Sequence, residues 1–184
     1  IGLRAERGRE MSLSGVWIRN CVIENCGAGG VYVRASKAIL EESLVRRVGL
    51  TYPAALAASV AGGGARISHN EIKCCPYTAL LSDGEGSVFE YNRMEDFMRE
   101  LNDGAAIYAF AAKGTVYRGN VAIGSRRSRS HLAHGYYLDE RSEGSVVEGN
   151  LAVDVRWPTH NHMSKDCTIR DNIFLDRASE TKLS

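Results

Sequence analysis

Apolar residues recur in this chain on a long beat, not on the short beats of an amphipathic helix or a lone hairpin. Seven times a polar centre stands with an apolar residue three places before it and another two places after it. The centres read as Asn20, Glu42, Asn70, Asn92, Asn120, Asn150 and Asn172, spaced by 22, 28, 22, 28, 30 and 22 residues. Three places before them stand Trp17, Ile39, Ile67, Phe89, Tyr117, Val147 and Ile169. Two places after stand Val22, Leu44, Ile72, Met94, Ala122, Ala152 and Phe174. Four centres also follow a glycine by six places: Gly64, Gly86, Gly114 and Gly144. Self-similarity at such a period is the mark of a solenoid.

The composition of each unit selects among solenoids. Helical repeats need apolar residues at three-to-four spacing over roughly 30–45 residues, and leucine-rich repeats need a regular leucine ladder. Neither occurs here. The units instead hold short β-prone runs, such as Gly15-Val16-Trp17-Ile18, Gly30-Val31-Tyr32-Val33 and Ser87-Val88-Phe89, each bounded by Gly, Asn, Asp or Ser. Two or three such runs in about 22 residues describe one turn of a parallel β-coil. Successive coils of that kind stack about 4.8 Å apart with their side chains in ladders. Asparagine suits such a coil twice over: it tolerates the left-handed backbone of a tight corner, and stacked amides can bond to one another. The expected fold is therefore all-β, a right-handed parallel β-helix of about seven coils in a single domain spanning 1–184. Because the chain opens on Ile1 without an initiator Met or a signal peptide, it reads as a fragment of a longer protein.

Segments such as "ISHNEI", "VFEYNRMEDF", "VYRGNVAIG" and "CTIRDNIFLD" resemble the repeat of the right-handed parallel β-helix proteins, over roughly residues 14 to 176. That family includes polysaccharide lyases and glycoside hydrolases. The resemblance implies a polysaccharide or oligosaccharide partner and a secreted or periplasmic location. Composition adds exclusions. A formal net charge of +1 gives no electrostatic argument for nucleic acid or a membrane surface. No run approaches the roughly 18 apolar residues that span a bilayer. Five cysteines leave at least one unpaired and form no spaced zinc pair.

Units of 28 and 30 residues have room for ornament that units of 22 lack. The extra residues fall between Glu42 and Asn70, between Asn92 and Ala105, and between Asn120 and Gly135. The last two insertions precede the same strand of adjacent coils, so they should project side by side from one edge. Loops on a rigid scaffold are where binding and catalytic groups concentrate. Next to them lie "NDGAAIYAF" (102–110) and "HGYYLDE" (134–140), which resemble the paired motifs "DGGAIY" and "GIYLDD" of sugar-cleaving β-helix proteins. Ala105 replaces the second glycine, Tyr136 stands where isoleucine is usual, and Glu140 replaces the second aspartate. The resemblance implies Asp103 and Asp139 as catalytic carboxylates.

Register decides whether Asp139 can serve. Counting back from Asn120 and Asn150 aligns Tyr108 with Leu138 and buries Asp139, which would cost several kcal/mol for an unpaired carboxylate. Aligning Tyr108 with Tyr137 turns Tyr136 and Leu138 inward and Tyr108, Tyr137 and Asp139 outward. A one-residue slip separates the two. The second register is therefore expected, with Tyr108 and Tyr137 as sugar platforms. Fully extended, the chain would hold Asp103 and Asp139 roughly 17 to 23 Å apart. Glycoside hydrolysis needs about 5 to 9.5 Å. The pair therefore requires the chain at Asn102-Asp103-Gly104 to curl back over its strand.

Four of the five histidines, His131, His134, His160 and His162, fall in the two coils around Asp139. His131 and His134 are expected within hydrogen-bond reach of Asp103. The alternation of His160-Asn161-His162 puts both rings on one face. His134, His160, His162, Glu140 and Arg156 complete the expected substrate-binding set, with no metal among its members. Arg126, Arg127 and Arg129 form a basic run in the second of these insertions, suited to an acidic sugar or to solvent. The expected activity is glycoside hydrolysis by the carboxylate pair, without a cofactor. A lyase on the same coil is the alternative; it would draw its base from Arg156 or the basic run, and calcium enters only there. A bare solenoid, an adhesin or tail-fibre segment, is the reading without catalysis.

Overall fold

Strands of two to six residues separated by tight corners wind the chain into a prism with three faces. A computed structural model describes residues 2–3, 13–124 and 130–175. Within them lie three parallel sheets of seven strands each, and no helix. Each coil contributes one strand to each sheet. In one coil these are Leu80–Asp83, Val88–Glu90 and Arg93–Phe97. The first sheet also includes Val31–Arg34, Ala58–Ala61, Gly104–Ala109, Ala133–Leu138 and Trp157–Asn161.

The interior is a stack of ladders set by cross-coil register. Ile18, Leu40, Ile67, Phe89, Tyr117 and Val147 align in the second sheet and are buried. The rings of Phe89 and Tyr117 stand 5.4 Å apart, and the buried Tyr117 hydroxyl donates to Ser82 Oγ at 2.9 Å. Each such side chain contributes about 1.5–3 kcal/mol by leaving water. The outer face of the same sheet carries alternating charge instead. Arg118 and Arg66 both reach Glu90, at 2.7 and 2.8 Å, and Arg170 reaches Glu148 at 2.6 Å.

The corner between the second and third sheets is fixed by side-chain amides. Asn70 donates from Nδ2 to Asn92 Oδ1 at 2.9 Å, Asn92 to Asn120 at 3.0 Å, Asn120 to Asn150 at 3.0 Å, and Asn150 to Asn172 at 3.0 Å. Each Nδ2 also donates to a backbone carbonyl of the preceding coil, as Asn120 does to Phe89 at 2.8 Å. The first two coils correct the sequence register by one residue. Ser43 N–H donates to Asn70 Oδ1 at 3.1 Å, and Cys21 N–H donates to Ser43 Oγ at 3.1 Å, so Cys21 and Ser43 continue the amide column. Asn20 and Glu42 align with His69 instead, and all three have positive φ. Trp17 accordingly faces solvent at 72% exposure while Ile18 is buried.

The same geometry corrects the reason for asparagine. At this corner the left-handed residue is the one before the amide: His69, Tyr91, Gly119, Gly149 and Asp171 have φ between 55° and 62°, and the ladder asparagines after them do not. Asparagine is there for its hydrogen bonds. Counted from Cys21 and Ser43, the column six places upstream becomes complete. It runs Gly15, Lys37, Gly64, Gly86, Gly114, Gly144 and Asp166, all with positive φ. Four of these glycines have nothing within 4 Å of an added Cβ, so backbone conformation and not space selects them.

The third corner, which leads into the first sheet, has no such amide ladder among the described residues, and all three insertions enter there. Two are described whole or nearly so; in the last, Arg126, Arg127 and Arg129 lie outside the described residues.

Candidate functional site

The outer face of the first sheet gathers titratable side chains at the end where the long strands Gly104–Ala109, Ala133–Leu138 and Trp157–Asn161 lie side by side. Tyr108 pairs with Tyr137 and Tyr137 with His160, the register expected, but Asp139, expected to face solvent, is only 7% exposed and is buried as a paired carboxylate. Tyr136 and Leu138 are buried in the core, and the Tyr136 hydroxyl donates to the Asn120 and Leu151 carbonyls at 2.9 and 3.1 Å. At His134-Gly135 the strict alternation breaks. A Cβ on Gly135 would stand 2.5 Å from the Pro158 carbonyl oxygen and 3.5 Å from the core methyl of Ala152. Only glycine fits there. The step turns His134 onto the outer face, where its ring centroid lies 4.5 Å from Tyr137 and 4.9 Å from His160.

Asp139 follows the strand, with its N–H donating to the Ala109 carbonyl at 2.9 Å. Its carboxylate is held from two sides. The Tyr108 hydroxyl donates to Oδ2 through a short hydrogen bond, and His162 Nδ1 donates to Oδ1 at 2.8 Å. Burial pushes the Asp139 pKa up, but the Tyr108 and His162 hydrogen bonds and the Glu140 backbone N–H outweigh it. The group therefore sits below its ordinary value and is ionised at neutral pH. The His162 side chain is otherwise exposed, at 47%. Glu140 contributes its backbone to this arrangement, and its side chain is half-buried.

Asp103 stands in a left-handed turn just before the strand Gly104–Ala109. It has φ +60°, and its carbonyl accepts from the Tyr77 hydroxyl at 2.6 Å. The Asp139 and Asp103 carboxylates both act by charge on the Tyr137 hydroxyl. Burial first and these carboxylates second push that hydroxyl well above the ordinary tyrosine value. Tyr108 is raised by burial and then by its bond to Asp139.

The histidines correct one expectation. His134 Nδ1 donates to the Gly104 carbonyl at 3.1 Å, and the backbone N–H of His131 donates to Asn102 Oδ1 at 2.7 Å. Both residues bind the neighbours of Asp103 and not its carboxylate. A carbonyl can only accept, so the His134 proton is on Nδ1. Burial holds His134 below its usual pKa, partly offset by that bond to Gly104. His160 and His162 share a face, with ring centroids 6.0 Å apart. Arg156 is exposed, and among the described residues no contact joins it to the carboxylates. Tyr137 is only 6% exposed, because the rings of Tyr108, His134 and His160 cover it. It forms the floor of the site, while Asp103, His162 and the edge of Tyr108 form its open rim.

Three contributors have no motif of their own in the sequence. Tyr77 fixes the Asp103 turn. Asn102 accepts from Ser130 Oγ at 3.0 Å as well as from His131, clamping the neighbouring insertion. Trp157, the register partner of His134, donates its indole N–H to the His131 carbonyl at 3.2 Å. Each is marked in sequence only by lying in the residues just before or at the start of a first-sheet strand. Among the described residues no three His, Cys, Asp or Glu side chains form a group that could hold a metal ion.

A face of ionisable side chains across a stack of parallel coils defines the class. The family described as a right-handed beta helix region matches residues 11–180, and the chain belongs to it. A solved structure named "Glycoside hydrolase" is similar over 87% of this chain with a TM-score of 0.70 and 15% identity. The chain spans 33% of that protein's length. No curated protein matches the chain.

Proposed function

We propose that the protein hydrolyses glycosidic bonds of a carbohydrate chain on the outer face of the first sheet. The observation that carries this reading is the Asp139 carboxylate, held between the Tyr108 hydroxyl and His162 Nδ1 on the outer face of the first sheet. Glycoside hydrolysis pairs such a carboxylate with a second carboxyl group in a different environment, here the exposed Asp103. Asp139, held ionised, is the nucleophile or the base that activates water. Asp103, on the open rim, then supplies the proton to the leaving glycosidic oxygen. The exposed edge of Tyr108 and the rings of His160 and His162 contact the sugar. The similarity to a protein named glycoside hydrolase supports the same reading.

The test is release of reducing ends from a panel of neutral and acidic polysaccharides. Asp139→Asn should lower the rate by about a thousandfold, and Asp103→Asn by about a hundredfold, with circular dichroism unchanged. Wild-type rates in Asp139→Asn would refute the assignment. Unsaturated-product absorbance in place of reducing ends alone would replace hydrolysis by elimination.

A further inference from the structure

The first insertion builds a second concavity on the same face. Residues 47–57 fold back onto the preceding coil. Gly49 N–H donates to the Ala28 carbonyl at 2.8 Å, Leu50 N–H to Cys26 at 3.1 Å, and Thr51 and Tyr52 N–H to Gly27 at 2.9 and 2.8 Å. The approach is close enough to require glycine: a Cβ on Gly29 would meet the Leu56 carbonyl oxygen at 2.6 Å. The loop and the coil enclose a cavity of about 460 Å³ lined by Ala28, Gly29, Tyr32, Ala54, Ala55 and Leu56, with Ser59 beside them. Its walls are kept low by small side chains. Tyr32 is 43% exposed, although strands flank it on both sides.

Register ties this cavity to the carboxylates. Tyr32 pairs with Ser59, Ser59 with Leu81, Leu81 with Tyr108, and Tyr108 with Tyr137. One outward ladder therefore runs from the cavity to the floor of the candidate site. Three coil steps separate Tyr32 from Tyr108, about 14 Å. Beside it, Arg34 and Asp83 occupy the next outward ladder, each paired with Ala61. Arg34, two residues from Tyr32, offers donors near the aromatic face, and Asp83 offers an acceptor two coils nearer the carboxylates, the groups a row of sugar hydroxyls would meet along the axis.

We infer that this cavity is a distal sugar subsite, so that the substrate is a chain of several sugars lying along the coil axis from Tyr32 to Asp139. The inference rests on the hydrolase reading and extends it from a bond to a chain. It commits the occupant to a sugar of the same chain whose scissile bond lies at Asp139, because the ladder from Tyr32 ends at Tyr137, two residues before Asp139 on the same strand face. It also makes the first insertion a device for measuring chain length. Short oligosaccharides reach the carboxylates without reaching Tyr32.

The experiment uses the intact protein and xylo-, cello- and galacturono-oligosaccharides, in short (two- or three-unit) and long (six-unit or longer) forms. Two variants address the cavity. Tyr32→Ala removes the ring, and Ala54→Trp fills the space from an exposed position that leaves the core untouched. Each should weaken binding of the long form by about tenfold, or about 1.4 kcal/mol, and leave the short form unchanged. Equal effects on both lengths, or none on either in both variants, would overturn the subsite. Loss of cleavage in Asp139→Asn together with wild-type chain-length dependence in Tyr32→Ala would leave the hydrolase reading standing and remove this one. If wild type neither binds nor cleaves any of the series, both fall.

Discussion

Two corners of the same coil behave in opposite ways. Between the second and third sheets every coil spends two residues on the turn, from Arg19 to Val22 through Arg170 to Ile173. Between the third and first sheets the chain uses six residues after Glu24 but eleven after Arg46. The difference lies in what bonds across the coils. At the first corner a column of buried amides links each coil to the next, so an added residue would break bonds above and below it. At the other corner no such column among the described residues constrains length, so insertions accumulate there, and one of them carries Asn102 and Asp103 to the edge of the first sheet. A solenoid keeps its period where its polar groups are buried, and varies where they are exposed.

Breaking the rigid corner should have the largest effect. Asn120 is fully buried; it donates to Phe89 and Asn150 and accepts twice from Asn92. Asn120→Ala strands several of these groups and should cost about 3 kcal/mol in denaturant unfolding. Ser43→Ala, at the column's end, should cost about 1 kcal/mol. Equal losses would mean that the column does not act as a continuous ladder.

A smaller effect probes the variable side. Asp139 has a depressed pKa in the folded chain, so its contribution to stability is present above the unfolded carboxylate value of about 3.9. It is lost as pH falls through the folded value. Tyr108→Phe removes a donor to the carboxylate and raises that value. The acid limb of activity should then move to higher pH, and part of the stability that Asp139 contributes above the unfolded value should be lost at pH 7 while stability below both values is unchanged. An acid limb that stays in place would separate Tyr108 from the control of Asp139. The smallest effect belongs to the outer charge ladder. Arg170→Ala removes an exposed pair with Glu148, and the unfolding midpoint should stay where it was.

Much of this was legible in sequence because periodicity records burial. The coil count, the corner that takes insertions and the register of Tyr108 with Tyr137 all follow from apolar spacing and the cost of burying Asp139 unpaired. The slip at Asn20 and Glu42 shows the limit. Trp17 and Ile18 are both apolar, as are Ile39 and Leu40, so local pattern fits either register. The bonds from Cys21 and Ser43 to the next coils select one.

The candidate site divides in the same manner. The short paired motifs marked Asp103 and Asp139, and alternation put His160 and His162 on one face. Their placement required the left-handed turn at Asp103, the Tyr77 hydroxyl beneath it and the break in alternation at Gly135. None of these has a local signature, because each is decided by a contact with a residue one coil away, 22 to 31 positions distant in the chain. The sequence by itself determined a β-coil, its period and the edge where chemistry could gather. Tertiary structure alone decided which side chains meet, since cross-coil hydrogen bonds choose among registers that hydrophobic burial leaves nearly equal.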